Sequence, residues 1–300
     1  MQNLQGITLM IFAMAGFALG DTGIKFLSTD LPLSQILMTM GVFGTAAFVG
    51  LSLIKRDPIL TREMRHPAVL IRGACDVIAA LFMINALALS PLSLVTSVTQ
   101  AGPLVVALGA VVIFKEKVGW RRWCAIFAGL TGVMIILRPG TDGFNVFALL
   151  AVGAMLALAA RDLSTRAAPK TLSNLQLATV GFASFMVSAL LLLPISAPWS
   201  VPDTRQAWLF VLVIVPTIAG YYAITASMRV GEISVVTPFR YSRLLFGVLL
   251  GVTLFGESID IWMLAGGTLI VASGIYTVLR ERKQRRMALA TPPAGVKADR

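Results

Sequence analysis

The sequence predicts an all-α polytopic membrane protein: ten transmembrane helices arranged as two inverted five-helix repeats. Three observations carry the prediction. The chain of 300 residues is 57% hydrophobic and only 13% charged, with a mean hydropathy of +0.84, whereas a soluble chain carries about 25% charged residues. Its apolar residues gather in runs close to the roughly 20 residues a helix needs to cross a bilayer. And the chain laid on itself at an offset of 141 brings scarce polar residues into register.

The runs fall at 4–28, 33–54, 69–89, 92–114, 120–137, 144–163, 173–194, 207–229, 233–255 and 261–280. The first follows Met1 to Leu4, which has none of the Lys/Arg of a signal-peptide n-region. It is also too long, and too polar at its far end, for a cleaved leader, so it reads as a span. Asp30-Leu31-Pro32 closes it, a basic stretch around Lys55 to Arg65 separates the second from the third, and Ser90-Pro91 opens the fourth. Arg138-Pro139-Gly140 ends the fifth, and Pro198 to Pro202 divides the seventh from the eighth, as turn chemistry requires. The connections leave no room for an extramembrane domain. The organisation expected is a first repeat over 1–141, a second, inverted repeat over 142–280, and a basic tail over 281–300 that is disordered and lies on an anionic leaflet.

The net charge of +11 sits in short clusters between apolar runs and not along one aromatic-interleaved face, which points to membrane topology and away from nucleic acid. With the N-terminus inside, the inner segments collect 20 of the 25 Lys/Arg, among them Lys115, Lys117, Arg121, Arg122, Arg161, Arg166 and Lys170. The outside keeps Lys25, Arg138 and Arg205, while Arg240 and Arg243 remain inside a span. Both termini are therefore expected in the cytoplasm. The two cysteines, Cys75 and Cys124, lie in or beside apolar segments and read as buried, inert thiols.

The offset of 141 places Asp21 on Asp162, Lys25 on Arg166, Gln35 on Gln176, Ser93 to Thr96 on Ser234 to Thr237, and Phe114-Lys115-Glu116 on Phe255-Gly256-Glu257. One residue more in the next loop, and Trp120, Gly132 and Arg138 meet Trp262, Gly274 and Arg280. Five spans per repeat is an odd number, so the halves must enter the membrane from opposite sides. The charges agree: the basic loop from Lys115 to Arg122 faces in, and its partner, Gly256 to Asp260, is acidic and faces out. Inverted duplication of this kind points to transport.

The stretch Arg72 to Gly140, with Ala86-Leu87-Ala88-Leu89-Ser90-Pro91-Leu92-Ser93 and Phe114-Lys115-Glu116-Lys117-Val118-Gly119-Trp120-Arg121-Arg122-Trp123, resembles the first repeat of EamA-type carriers of the drug/metabolite transporter superfamily. Pro238 to Phe246 through Gly256-Glu257 is similar to the matching part of the second. The resemblance covers residues 4–280. It implies ten helices with both termini cytoplasmic, a central cavity between the halves, alternating access and no ATP hydrolysis. The family's members move amino acids and their derivatives, nucleotide-like cofactors and vitamins, and some similar bacterial members are associated with riboflavin.

Candidate substrate-binding residues follow from the charges and amides inside spans. A guanidinium near the bilayer centre costs at least ~2.5–3.5 kcal/mol on insertion scales and must face protein, water or a partner. Arg240 and Arg243, at i, i+3 beside Tyr241, form either a fixed positive site for a carboxylate or acceptor-rich group, or a pair that reaches Asp162 or lipid headgroups. Asp21 and Lys25, like Asp162 and Arg166, are spaced i, i+4 and can neutralise each other. Asp21 and Lys25 are also candidates for ion coupling, or for snorkelling at the interface. Arg72 and Asp76 make another such pair, with Asp76 the deeper. Gln100, Asn85, Gln35 and Gln176 offer amides for substrate or for interhelical bonding, and Tyr221-Tyr222 can stack on a planar substrate or anchor packing. Pro103 and Pro238 can open the backbone ladder near the cavity. Glu116 and Glu257, at helix C-termini, should close salt bridges or cap a neighbouring helix. Gly129, Gly132, Gly266 and Gly267 read as close-packing positions.

No residue pattern supports an enzyme. The one histidine, His66, sits in a basic loop, no metal motif is present, Gly20-Asp21 lacks the preceding glycine of an intramembrane aspartyl protease, and no cofactor is implied. The sequence therefore predicts a secondary carrier of a small polar or amphipathic metabolite, an amino acid or derivative or a vitamin such as riboflavin. A non-saturable channel or a structural membrane protein is the alternative. The expected partners are a small-molecule substrate and the lipid bilayer, not nucleic acid; a homodimer is left open.

Overall fold

The computed structural model of the chain describes residues 2–116, 119–141 and 144–290, without the side chains of 233, 234 and 281–290. Lys117 and Val118 of the basic loop, and the tail beyond 290, lie outside the described residues. The chain is all-helical. Ten of its helical segments are long and apolar enough to cross a membrane. They are built from α1 (Gln2–Leu27), α2 (Leu33–Lys55), α3 (Pro67–Leu89), α4 (Leu92–Thr99) with α5 (Gly102–Phe114), α6 (Trp120–Leu137), α7 (Ala148–Ala167), α8 (Asn174–Leu192), α9 (Thr204–Val230), α10 (Ile233–Val236) with α11 (Ser242–Phe255), and α12 (Ile261–Ala290).

The fourth and ninth spans are broken near their middles. In the fourth, Gln100 and Ala101 separate α4 from α5, whose first turn holds Pro103. In the ninth, a 3₁₀ stretch from Thr237 to Tyr241 containing Pro238 joins α10 to α11. Proline lacks the N–H for the helical ladder and crowds the preceding turn, which accounts for both breaks. The last helix differs from expectation. It runs on to Ala290, so the first ten residues of the tail expected to be disordered are helical. The chain of good helix formers there contains no glycine or proline before Pro292 to stop it.

Helix packing follows the duplication. α1 packs on α9 and α3 on α7, which are the same pairing in the two halves; α2 on α8, α4 on α11 and α6 on α12 are each paired with their own repeat equivalents. Every principal contact therefore joins one half to the other. Ten spans of alternating direction return the chain to the face it started from, called here the terminal face; the other is the distal face. The α6/α12 seam shows why glycine is required. A Cβ on Gly132 would stand 2.7 Å from the Gly266 carbonyl oxygen, closer than van der Waals contact allows.

Gln35 and Gln176, equivalent positions that start α2 and α8, each hold a loop of the opposite half. Gln35 donates to Ser200 O at 2.6 Å and accepts from Ser200 N at 3.1 Å, while Gln176 donates to Pro58 O at 2.8 Å. Phe12, Phe43, Leu70, Val112, Trp208 and Leu249 point outward from the bundle, an apolar surface suited to lipid and not to water. Cys124 is exposed on α6 and Cys75 half-buried on α3, which corrects the expectation of two buried thiols. An apolar span of a membrane protein exposes one flank to lipid, so an apolar setting does not imply burial.

Candidate substrate site

Between α3, α7 and α8 two buried charges, Arg72 and Asp76, meet two half-buried ones, Arg161 and Asp162. Asp76, 6% exposed, sits between two guanidinium groups, with Arg72 Nε 3.7 Å from Oδ2 and Arg161 Nη1 3.7 Å from Oδ1. Arg161 also binds Asp162, donating from Nη2 at 2.8 Å and from Nε at 3.0 Å. Arg72 is fixed further by donating to Thr165 Oγ1 and to Leu177 O, the latter at 3.2 Å. Multiple partners are what make such charges tolerable away from water, since a lone ion there is strongly penalised. The i, i+4 pairing of Arg72 with Asp76 is present as predicted.

Arg240 lies in the 3₁₀ break of the ninth span, half-buried, and its charge acts on Asp162. Its carbonyl accepts from Gln100 Nε2 at 2.9 Å. The two broken spans therefore meet at their breaks. Gln100 and Tyr241 occupy equivalent places in the two halves, and Gln100 reaches into the opposite break. Tyr241 is buried, with its hydroxyl unpaired among the described residues and its ring against Gly274. Three guanidinium groups, Arg72, Arg161 and Arg240, face two carboxylates, Asp76 and Asp162. The arrangement has one positive charge in excess and can hold an acceptor-rich or anionic group.

Other expected pairings are replaced. Asp21 does not pair with Lys25: Arg243 Nη2 donates to Asp21 Oδ2 at 2.6 Å, and the Arg243 guanidinium lies over Phe17 at 5.5 Å. Arg243 accordingly pairs with Asp21 and not with Asp162. Asp162 and Arg166 are parted in the same way, with Arg166 binding Glu116. For Asp21 and Arg166 a partner from another element is nearer than the one a turn along, because neighbouring helices pack with side chains interdigitated, while Asp162 takes Arg161 beside it. Lys25 donates to Ser90 O at 2.6 Å and Leu87 O at 3.3 Å, and stands 3.9 Å from Glu257.

The remaining candidates scatter. Asn85 donates to Leu81 O of its own helix at 2.8 Å. Tyr221 packs edge-on to Phe48 and Phe182 at centroid distances of 5.4 and 6.3 Å, and also lies within electrostatic reach of Arg161. Tyr222 faces outward, about half exposed, with Lys55 over its ring, and is not brought to the charged cluster. Sequence reasoning missed Arg161, Asp162 and Thr165 as site residues. Arg161 was counted with the loop charges that set orientation, although it falls inside a predicted span and opposite Gly20 in the repeat, a charge with no counterpart and therefore a signal.

The profile of the EamA-like transporter family matches residues 4–138 and again residues 146–280. A riboflavin transporter of Vibrio cholerae is 28% identical over 294 residues, covering 94% of this chain and 96% of its own. A riboflavin transporter of Rhizobium johnstonii is 27% identical over 290 residues, covering 94% and 93%. An S-adenosylmethionine uptake transporter of Rickettsia prowazekii is 23% identical over 282 residues, covering 93% and 94%. One solved protein crystal structure superposes with a TM-score of 0.60 at 19% identity, covering 94% of this chain and 98% of its own, a likeness of fold.

Proposed function

The chain belongs to the EamA-like transporter family, a multi-pass bacterial membrane protein and not an enzyme, and on that premise we propose that it carries a small polar or amphipathic metabolite across the inner membrane by alternating access. The terminal face is cytoplasmic in this reading, as the Lys/Arg bias of its loops requires. One observation carries it: the network of buried Arg72 and Asp76 with half-buried Arg161 and Asp162, within electrostatic reach of Arg240 at the break of the ninth span. Three guanidinium groups against two carboxylates leave one positive charge available to an acceptor-rich or anionic substrate.

Arg240 is the residue assigned to the substrate's carboxylate or acceptor-rich edge, with Gln100 and Tyr241 beside it. Asp76 and Arg161 hold the opposing wall. Asp21 is the coupling candidate, since its protonation would release the ninth span's Arg243 from the first span. Riboflavin and S-adenosylmethionine, named for the relatives, are the first substrates to try: both are acceptor-rich and partly planar, and S-adenosylmethionine adds a carboxylate. Purified protein in liposomes decides the matter. Saturable uptake of labelled compound, with counterflow when unlabelled compound is preloaded, is the expected result. An ohmic flux without saturation would instead make the chain a channel.

A further inference from the structure

Glu257 performs a task on the distal face that no pairing rule within its own helix explains. α11 ends in a left-handed residue, Gly256 at φ 63°, and the Glu257 N–H returns to Gly251 O at 3.1 Å. The Glu257 carboxylate is thereby turned onto the N-terminus of α4, where it accepts from Leu92 N at 2.5 Å and from Ser93 N and Oγ at 2.9 and 2.6 Å. An anion on free N–H groups at a helix start is favourable on both hydrogen-bonding and dipole grounds. Lys25 ties the same carboxylate to the end of α3 and lies over Phe255 at 5.3 Å. One cluster joins α1, α3, α4 and the end of α11 at the distal face.

The terminal face carries the same residues. Lys115, equivalent to Gly256, is also left-handed at φ 53°, and the Glu116 N–H returns to Ala110 O as the Glu257 N–H does to Gly251 O. Arg166 replaces Lys25, binding Glu116 and lying over Phe114 at 4.9 Å, the counterpart of the Lys25–Phe255 contact. What differs is access. Lys25 and Glu257 side chains are 17% and 9% exposed, Arg166 and Glu116 54% and 30%. The end of α9 on this face leans on α1 instead, with Ser227 Oγ donating to Gly6 O at 2.7 Å.

We infer that Glu257 is a gate residue that holds the distal face shut by gripping the start of the opposite half's broken span at Leu92 and Ser93. The conformation here has the distal gate shut. The inference rests on the carrier reading but is tested without substrate, so its failure leaves uptake unaffected and a failed uptake assay leaves it standing. The test is backbone hydrogen exchange on the full chain in lipid nanodiscs. Glu257→Ala should accelerate exchange over 90–95 by about tenfold and slow it over 231–236, as the population moves to the distal-open state. If that variant folds poorly, the isosteric Glu257→Gln is measured in its place, with the same signs expected. Acceleration confined to 90–95, with no opposite change over 231–236, would reduce Glu257 to a local helix cap and overturn the inference.

Discussion

The α3/α7 and α1/α9 seams are the same interface in two copies, and they have been filled in opposite ways. In the first, Arg161 faces Asp76 and Arg72 lies alongside. The equivalent positions in the second are Gly20, Thr217 and Val213, and there the helices close up on small residues: a Cβ on Gly16 would stand 2.6 Å from Pro216 O, and one on Gly23 2.5 Å from a Val213 methyl. One duplicated geometry thus serves once as a charged wall and once as a tight seam. Asp21 and Asp162, which do match, show the consequence. Asp162 takes Arg161 from its own seam, whereas Asp21 has glycine in that place and takes Arg243 from the ninth span. The two copies share a scaffold, and divergence of a few side chains at one of them supplied the charged cluster.

The largest expected effect comes from breaking the charged copy. Asp76→Ala leaves Arg72 and Arg161 facing each other across a buried space, and should cost about 3–5 kcal/mol, read as a large fall in the thermal midpoint of the detergent-purified protein. Gly20→Leu attacks the tight copy. It should cost about 1–3 kcal/mol by overpacking against Thr217 and Val213, in the same assay, without altering the charged cluster. If Gly20→Leu proved neutral, the seam would be looser than its geometry shows. The smallest effect concerns the two left-handed helix ends. Lys115→Gly should stabilise by about 0.5 kcal/mol, the left-handed strain of a side chain less the added freedom of glycine in the unfolded chain, and bring the terminal-face cap to the form already present at Gly256.

Much of this was legible in the sequence because lipid imposes simple rules. Span length gave the helices, Pro103 and Pro238 gave the breaks, and the polar matches gave the repeat. The reading of Glu257 as a cap for a neighbouring helix also agrees with the structure. Partners were less legible. The i, i+4 rule sees only one helix, and it found Arg72–Asp76 but offered Lys25 to Asp21 where packing supplies Arg243. Arg161 was hidden by the orientation rule, which treats a basic residue near a span end as a loop charge. Tyr221 and Tyr222, adjacent in sequence, differ by about 100° around the helix axis, and that alone puts one ring inside the aromatic cluster and the other outside.

We propose that the charged copy, completed by Arg240, holds the substrate, while its tightly packed twin does not. Counterflow in proteoliposomes, comparing Arg240→Ala with Thr217→Val on the substrate the unaltered protein carries, tests it most directly. The account predicts that Arg240→Ala falls to the level of empty liposomes with an unchanged thermal midpoint, and that Thr217→Val exchanges normally. Wild-type exchange by Arg240→Ala would contradict it.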